Sequence, residues 1–335
     1  MVQPTWQLES VPCDYCGSAE ADVLVRGRDR AHGLPGEFNV VRCRKCGLTR
    51  TNPRPTLESL AAAYPEEYPE HQAGDRRAQP PRGLLRWALV NLRDYPLGRR
   101  GGKRVLDPFL RWLLQPIAAA ALARRKAFGY LAYEGEGRLL DFGCGTGGYV
   151  ARMAAAGWKA EGLDASAQAV AIGRKAGLTL HEGTLPGATL PAESFDVVTM
   201  WQALEHVPTP RATLEAVRRL LRPGGRLLVV CPRLDSLEAR WFGPCWFALE
   251  LPRHLTHFTA ETLRRHVEIA GFQVEGIRSF RRPAIIRRSF AQLADETGRP
   301  MHRRLAASRL VPGALSWLSL MAGRTGQMMC LAKKR

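Results

Sequence analysis

Residues 139–149 read LLDFGCGTGGY, and the rest of the chain is organised around this stretch. Two apolar residues precede Asp141, and four glycines then follow within six positions. This pattern predicts a buried strand that ends in a tight turn and opens a helix. Gly143, Gly145 and Gly147 have no Cβ, so their backbone can adopt positive φ angles and approach a ligand closely, while the helix offers unpaired N–H groups. The stretch therefore predicts a cradle for a bound cofactor.

The charge beside the turn favours one class of cofactor. The glycines also fit G-x-G-x-x-G, through Gly143, Gly145 and Gly148, which is typical of dinucleotide sites. However, Asp141 lies two residues before the first glycine, where it would repel a pyrophosphate and attract a cationic amino group. The stretch therefore favours S-adenosylmethionine over NAD.

Further motifs support this interpretation. Residues 202–208 read QALEHVP, and residues 222–225 read RPGG before an apolar run. With these motifs, the glycine turn resembles motif I of the class I S-adenosylmethionine-dependent methyltransferases, over roughly residues 138–335. The resemblance implies a Rossmann-like α/β fold whose seven-stranded sheet is mostly parallel, with an antiparallel last strand. Spacing alone supports alternating strands and helices.

The resemblance also implies a set of cofactor contacts. Asp164 ends the predicted second strand, where its carboxylate could accept both ribose hydroxyls of an adenosine, although it could also cap the helix that follows. Where the family commonly places an acid after a glycine, this chain has Thr184, so the adenine contact stays open between Thr184 and Glu182. The predicted cofactor-binding residues are Asp141, Gly143, Gly145, Gly147, Asp164, Ala165, Thr184, Leu185, Trp201 and Gln202.

Two C-x-x-C pairs near the start of the chain predict a metal site. They are Cys13 with Cys16 and Cys43 with Cys46, and a glycine follows each pair. Four thiolates at this spacing match tetrahedral zinc in a closed structural site. Two turns without metal are the alternative, and a redox role is disfavoured because no βαβ pattern surrounds either pair. We predict structural zinc in a small ribbon.

Three histidines are candidates for catalysis. His206 lies in the QALEHVP segment, and its ordinary pKa would allow it to take a proton from an acceptor during methyl transfer. Alternatively, Glu205 and His206 could fix the loop by hydrogen bonds or hold a divalent metal. His254 and His257 lie in PRHLTHFT, residues 252–259, which resembles a block found in zinc-ribbon methyltransferases. They are alternative bases, unless one caps the next helix and the other packs against a Trp.

The net charge and the apolar tracts of the sequence indicate which kinds of partner the protein could bind. A formal charge of +18 would attract nucleic acid, anionic lipid or a phosphorylated substrate. The start of the chain has no pattern of a secretory signal, and the apolar tracts are too short to span a bilayer, so we expect a cytoplasmic protein, with contact at the inner face of a membrane left open. The sequence predicts no oligomeric state.

The domain organisation follows from these motifs. We predict a zinc-ribbon-like domain over residues 1–51, a linker and helical cap over 52–133, and the methyltransferase domain over 134–335. The last contains an Arg-rich helical insertion over 281–325. The expected reaction transfers a methyl group to an oxygen or carbon atom of a small acceptor, which could be linked to a sugar or a lipid. Alternatives are an RNA methyltransferase, which the absence of an aromatic-rich RNA-binding motif disfavours, and a non-catalytic zinc-ribbon interaction module.

Overall fold

The computed structural model describes residues 6–64 and 135–335. Of the predicted linker and helical cap, residues 52–133, the part after residue 64 lies outside the described residues. The chain divides into two compact units, which are described separately below. We call them the ribbon unit, residues 1–66, 200–218 and 227–335, and the glycine-turn unit, residues 67–199 and 219–226. The predicted domain boundaries stay predictions.

The N-terminal part of the ribbon unit consists of short strands. They are followed by one helical turn that Thr56 caps, because its side chain accepts a hydrogen bond from the Ser59 amide. The elements are β1 Leu8–Glu9, β2 Ala21–Arg28, β3 Glu37–Cys43, β4 Thr49–Thr51, β5 Arg54–Pro55 and α1 Leu57–Leu60.

The glycine-turn unit alternates strands with helices, as the sequence predicts. Val150, Val170 and Leu180 come from two helices and a strand and pack together in its core. The elements are β6 Arg138–Phe142, α2 Gly148–Ala155, β7 Lys159–Asp164, α3 Ala167–Lys175 and β8 Leu180–Glu182. Strands β6, β7 and β8 pair in parallel, so their carboxyl ends share one edge of the sheet.

The remaining elements complete the fold. They are β9 Phe195–Trp201, α4 Pro210–Leu220, β10 Leu221–Pro232, α5 Leu237–Phe242, β11 Thr256–His257, α6 Ala260–Ile269, β12 Phe272–Ser279, α7 Pro283–Thr297, α8 Pro300–Ala307, α9 Leu310–Met321 and β13 Gln327–Lys334. The helices α7, α8 and α9 occupy the predicted insertion. No helix within residues 6–64 and 135–335 is long and apolar enough to cross a membrane.

The strands form a seven-stranded sheet in the order β12-β13-β10-β9-β6-β7-β8. Strands β12 and β13 pair antiparallel at one edge, while the three strands at the other edge are parallel. The predicted Rossmann-like, mostly parallel fold with an antiparallel last strand is confirmed.

A second sheet, in the ribbon unit, has the order β11-β4-β3-β2. All of its pairs are antiparallel, and β11 joins through the register Thr256↔Arg50 and His257↔Thr49. The PRHLTHFT block therefore contributes a strand to the sheet that β2, β3 and β4 form. This pairing joins residues about two hundred positions apart, so no local pattern could have predicted it.

Candidate active site

The glycine turn has the backbone conformation that its sequence predicts. Gly143, Gly145 and Gly147 all have positive φ, at 73°, 54° and 81°, which only glycine adopts readily. A Cβ on Gly147 would lie 2.6 Å from Leu178 Cδ1, so a larger residue would be both strained and crowded. The turn leads directly into α2, which begins at Gly148.

Asp141 is enclosed at the end of β6. Its side chain is buried, and Oδ1 accepts a hydrogen bond of 2.7 Å from the Thr199 hydroxyl of β9. Burial raises the pKa of Asp141 to about 7, against the lowering effects of the Thr199 hydrogen bond and of Arg152. A cationic group beside this carboxyl would lower its pKa and favour the ionised form. The sequence predicts such a group at this position, namely the amino group of a bound cofactor.

Asp164 connects the ends of two neighbouring strands. Its Oδ2 accepts a 2.7 Å hydrogen bond from the Gly145 amide in the turn, and its Oδ1 accepts one of 2.9 Å from the Ser166 amide. The helix cap is Ser166 rather than Asp164, because the Ser166 hydroxyl accepts from the Ala169 amide. Asp164 thus holds the turn in place, and a role toward ribose hydroxyls stays a prediction.

The other predicted cofactor contacts differ in exposure. In the glycine-turn unit, Ala165 and Thr184 are exposed and Leu185 is buried. In the ribbon unit, Trp201 is half-buried and ends β9. Gln202 follows with a positive φ of 55°, and its side-chain amide donates to the Val230 carbonyl of β10 at 3.1 Å. The structure thus brings Asp141, Gly145 and Asp164 to one edge of the sheet, and the contacts of the others stay predictions.

The histidines and their polar neighbours form a buried cluster in the ribbon unit. The rings of His206 and His254 lie 4.6 Å apart in an edge-to-face arrangement, and those of His254 and His257 lie 6.4 Å apart. Glu205 is buried beside them, and its carbonyl accepts hydrogen bonds from the backbone amides of Leu255 and Thr256. The QALEHVP and PRHLTHFT blocks, separate in sequence, therefore meet in one site.

Hydrogen bonds assign the His206 tautomer. Its Nδ1 lies 3.1 Å from the Arg253 carbonyl oxygen and 3.0 Å from the Tyr64 hydroxyl. Because a carbonyl only accepts, Nδ1 carries the proton, and Nε2 carries the lone pair that could receive a proton.

His257 has the opposite tautomer. The Thr51 hydroxyl donates to the His254 carbonyl at 2.7 Å, so it must accept from His257 Nε2, 3.1 Å away. Burial lowers the pKa of His257 to about 4. His257 thereby stabilises the pairing of β11 with β4. It does not cap the next helix, since Thr259 and Thr262 cap that helix through their own side chains.

His254 is more deeply enclosed than His206. Its Nδ1 lies 3.0 Å from the Ala248 carbonyl oxygen, and its Nε2 lies 3.5 Å from Glu250 Oε2. Burial, together with the charges of His206, His257 and Arg253, keeps its pKa well below the ordinary value. Three potential metal ligands also meet here, one each from Glu205, His206 and His254. Their donor atoms lie within 4.8 Å of one another, so these residues could hold a metal ion.

Several residues of the sites were not predicted from sequence. Tyr64 and Arg253 position His206, Thr199 holds Asp141, and Asp29 pairs with Arg253 at 2.7 Å in a fully buried salt bridge. No motif marks them, because each acts on a partner far away in the chain. The sequence could have drawn attention to two of these residues only by their positions. Thr199 is a polar residue within an apolar predicted strand, and Arg253 lies in the PRHLTHFT block.

The four predicted metal ligands converge in the ribbon unit. Cys13 Sγ lies 3.4 Å from Cys46 Sγ, Cys16 Sγ lies 3.5 Å from Cys43 Sγ, and all four sulfurs lie within 4.8 Å of one another. A tetrahedral zinc with ~2.3 Å Zn–S bonds needs sulfurs ~3.8 Å apart. The glycines after each pair have φ of 73° and 78°, which closes the two turns around the sulfurs. The donor set fits zinc.

Part of the chain is similar to a known protein family. Residues 112–276 match the model of a family described as a methyltransferase domain. The match covers just under half of the chain, and it agrees with the strand order and the glycine turn in indicating a methyltransferase domain of Rossmann-like fold.

Among curated proteins, the relatives of this chain include O-methyltransferases. The chain is 34% identical over 144 residues to a ubiquinone biosynthesis O-methyltransferase of Paraburkholderia phymatum, a match that covers 40% of this chain and 61% of the relative. It is 37% identical over 154 residues to one of Cereibacter sphaeroides, covering 43% and 60%. The chain thus spans about three fifths of the length of these relatives.

A solved S-adenosylmethionine-dependent methyltransferase from Mesorhizobium loti aligns with 66% of this chain and 97% of its own. The two are 20% identical, with a TM-score of 0.42. A likeness this remote adds nothing to what the strand order shows.

Proposed function

We propose that this protein transfers a methyl group from S-adenosylmethionine to a hydroxyl oxygen of a small molecule. The glycine turn carries the proposal, because its positive φ angles and the Asp164–Gly145 hydrogen bond form a cradle of the kind such a cofactor needs. The similarity to O-methyltransferases favours oxygen over carbon as the acceptor. A sugar- or lipid-linked acceptor stays part of the proposal, as does a cytoplasmic location.

The sulfonium of the cofactor supplies an electrophilic methyl group, so the protein has to position the acceptor and remove its proton. We propose that His206 Nε2 takes the proton from the acceptor hydroxyl while the oxygen–methyl bond forms and the sulfur–methyl bond breaks. Its Nδ1–H is held by the Arg253 carbonyl, which fixes the ring and favours the imidazolium. His254 and His257 are the other predicted bases. In our proposal they position His206 and β11, because their ring nitrogens bond within the ribbon unit.

The test compares His206→Asn with wild type on phenolic acceptors that carry or lack an isoprenoid tail, on hydroxylated sugars and on bulk RNA. Asn can still donate to the Arg253 carbonyl but has no group at the Nε2 position. We expect kcat to fall ~10²- to 10⁴-fold, with an unchanged cofactor affinity by calorimetry. His32→Asn, at an exposed histidine, is the control. Full activity of His206→Asn would remove His206 from the reaction, and methylation of RNA alone would replace the proposed acceptor class.

A metal-assisted form of the same reaction is a second candidate, favoured by the proximity of the donor atoms of Glu205, His206 and His254. An ion there would bind the acceptor oxygen and lower its pKa. Chelation distinguishes the two forms. Activity that EDTA abolishes and Mg²⁺ or Zn²⁺ restores supports the metal, whereas activity that persists in EDTA supports His206 alone.

We also propose that the four-Cys cluster holds a structural zinc ion. Elemental analysis should find about one zinc per chain, and Cys43→Ser should lose it, with a lower unfolding temperature. Cys245→Ser, at a buried cysteine outside the cluster, should keep the metal. Zinc-free wild-type protein with the same unfolding temperature would contradict this proposal.

A further inference from the structure

The helix α9 is packed with its apolar side outward. Its buried positions are Pro312, Ser316 and Ser319. Its exposed positions are the large apolar ones: Leu310 and Met321 are each 84% exposed, Trp317 55% and Leu318 54%. An ordinary surface helix has the reverse arrangement.

Polar contacts fix this orientation. The Ser319 hydroxyl donates to Glu238 Oε1 at 3.0 Å, and Glu238 is itself buried. Arg281 donates to the Ser316 hydroxyl at 2.9 Å and to the Gly313 carbonyl at 3.0 Å. Turning the helix to bury its apolar side would leave these polar groups without partners, which is costly in the interior.

The exposed residues form one continuous stripe. It consists of Leu310, Val311, Ala314, Trp317, Leu318 and Met321. Their spacing places them on one face over the whole helix. A stripe this large on a protein surface marks an interaction site.

The charge around the stripe indicates the kind of partner. Residues 281–324 contain nine arginines, no lysine and only two acids, Asp295 and Glu296. Glu296 is already paired with Arg28 and Arg30. Exposed arginines lie on both sides of the helix: Arg309 directly precedes it, and Arg324 follows its last residue by three positions. The Arg281 guanidinium stacks on the Trp317 ring, 3.9 Å from its centre, so a cation lies beside the stripe itself.

From these observations we propose that α9 lies in the interface of an anionic membrane, with the stripe among the lipid chains and the arginines at the headgroups. A helix of 12 residues is too short to span a bilayer and suits insertion parallel to its surface. A second copy of the chain would bring the same cationic collar against this one and be repelled. A nucleic acid offers no apolar surface to the stripe. The proposal is independent of methyl transfer.

The experiment is co-sedimentation of the full chain with phosphatidylcholine vesicles that contain or lack 30% phosphatidylglycerol. We expect binding to the anionic vesicles to be at least tenfold tighter, and to weaken as salt rises. Leu310→Ser with Met321→Ser should weaken it by about tenfold or more. Leu57→Ser, at a residue 61% exposed elsewhere in the same unit, should not. Because these positions are solvent-exposed, all variants should unfold at the wild-type temperature.

A second pair of variants tests the charge. Arg309→Gln with Arg324→Gln should weaken binding to anionic vesicles and leave the residual binding to neutral vesicles unchanged, whereas Arg26→Gln should do neither. The absence of vesicle binding, or equal binding to both vesicle types, would overturn the proposal. So would a dimer in sedimentation velocity that the Leu310 and Met321 substitutions dissociate, because the stripe would then contact a second copy.

Discussion

At the residue scale, the buried carboxyl group of Asp141 lowers the stability of the folded protein near neutral pH. Burial raises its pKa from an ordinary value of 3.8 to about 7, so the folded protein keeps a proton there that the unfolded chain has lost. Between these two values the unfolded state binds fewer protons, and stability therefore falls as pH rises. The acid is maintained at the end of β6 against this cost, which fits a role in binding a cation.

We therefore expect Asp141→Asn to stabilise the cofactor-free protein in a pH-dependent way. The asparagine can still accept from Thr199 and has no charge to bury. Its advantage over wild type should be about 2.5 kcal/mol larger at pH 7.5 than at pH 5, since each pKa unit is worth ~1.36 kcal/mol and the shift is expressed only between the two pKa values. Urea unfolding at both pH values measures this difference, and calorimetry should show weaker binding of S-adenosylmethionine. Asp22→Asn, at an exposed acid, is the control; an equal gain at both pH values would contradict the argument.

At the element scale, the turn between β6 and α2 depends on glycine for two separate reasons. Gly147 combines a positive φ with crowding by Leu178, whereas Gly177, after α3, has nearly the same φ of 79° and open space around its missing Cβ. The two positions thus separate backbone strain from crowding.

We expect Gly177→Ala to cost ~1 kcal/mol, from the strained backbone alone. Gly147→Ala should cost more, because the new methyl group must displace Leu178. It should also raise the dissociation constant for S-adenosylmethionine at least tenfold, while Gly177→Ala leaves this constant unchanged. Thermal unfolding and calorimetric titration measure the two effects. Equal cofactor affinity in both variants would mean that the turn does not bind the cofactor.

At the scale of the whole molecule, one buried ion pair joins two distant parts of the ribbon unit. Arg253 and Asp29 lie 224 positions apart, and both are fully buried. Burial opposes ionisation of Asp29, but the Arg253 guanidinium outweighs it and lowers the pKa of this acid. Arg253 also donates to the Ala63 carbonyl. The backbone carbonyl of Arg253 accepts a hydrogen bond from His206 Nδ1. The Arg253–Asp29 ion pair therefore connects residues 6–64 with His206, the proposed base.

Arg253→Met should destabilise the protein by ~3–5 kcal/mol, because it leaves the Asp29 carboxylate buried without its partner. Adding Asp29→Asn should recover part of that loss, since the amide still accepts from the Ala31 and His32 backbones and carries no charge. Urea unfolding of the four forms of this cycle measures the coupling. Arg44→Met, at an exposed pair with Asp22, should leave the midpoint unchanged, and an additive double variant would contradict the coupling.

The structure separates the three predicted histidines where the sequence could not. Sequence places His206, His254 and His257 in two motifs and gives each the same ordinary chemistry. Their tautomers depend on the carbonyls of Arg253 and Ala248 and on the Thr51 hydroxyl, which come from other parts of the ribbon unit. The outward orientation of α9 had a similar origin, because it depends on Glu238 and Arg281 rather than on the composition of the helix.

The sequence by itself determined the local features of this protein. The glycine turn, the alternation of strands and helices and the two C-x-x-C turns depend on the φ angles, periodicity and ligand spacing of neighbouring residues, and all were predictable. Only the tertiary structure decided which distant groups meet: β11 with β4, Asp29 with Arg253, Tyr64 with His206, and the inward serines of α9 with Glu238. The reason is physical. Local backbone preferences are encoded by adjacent residues, whereas burial and hydrogen-bond partners are set by chain segments that only folding brings together.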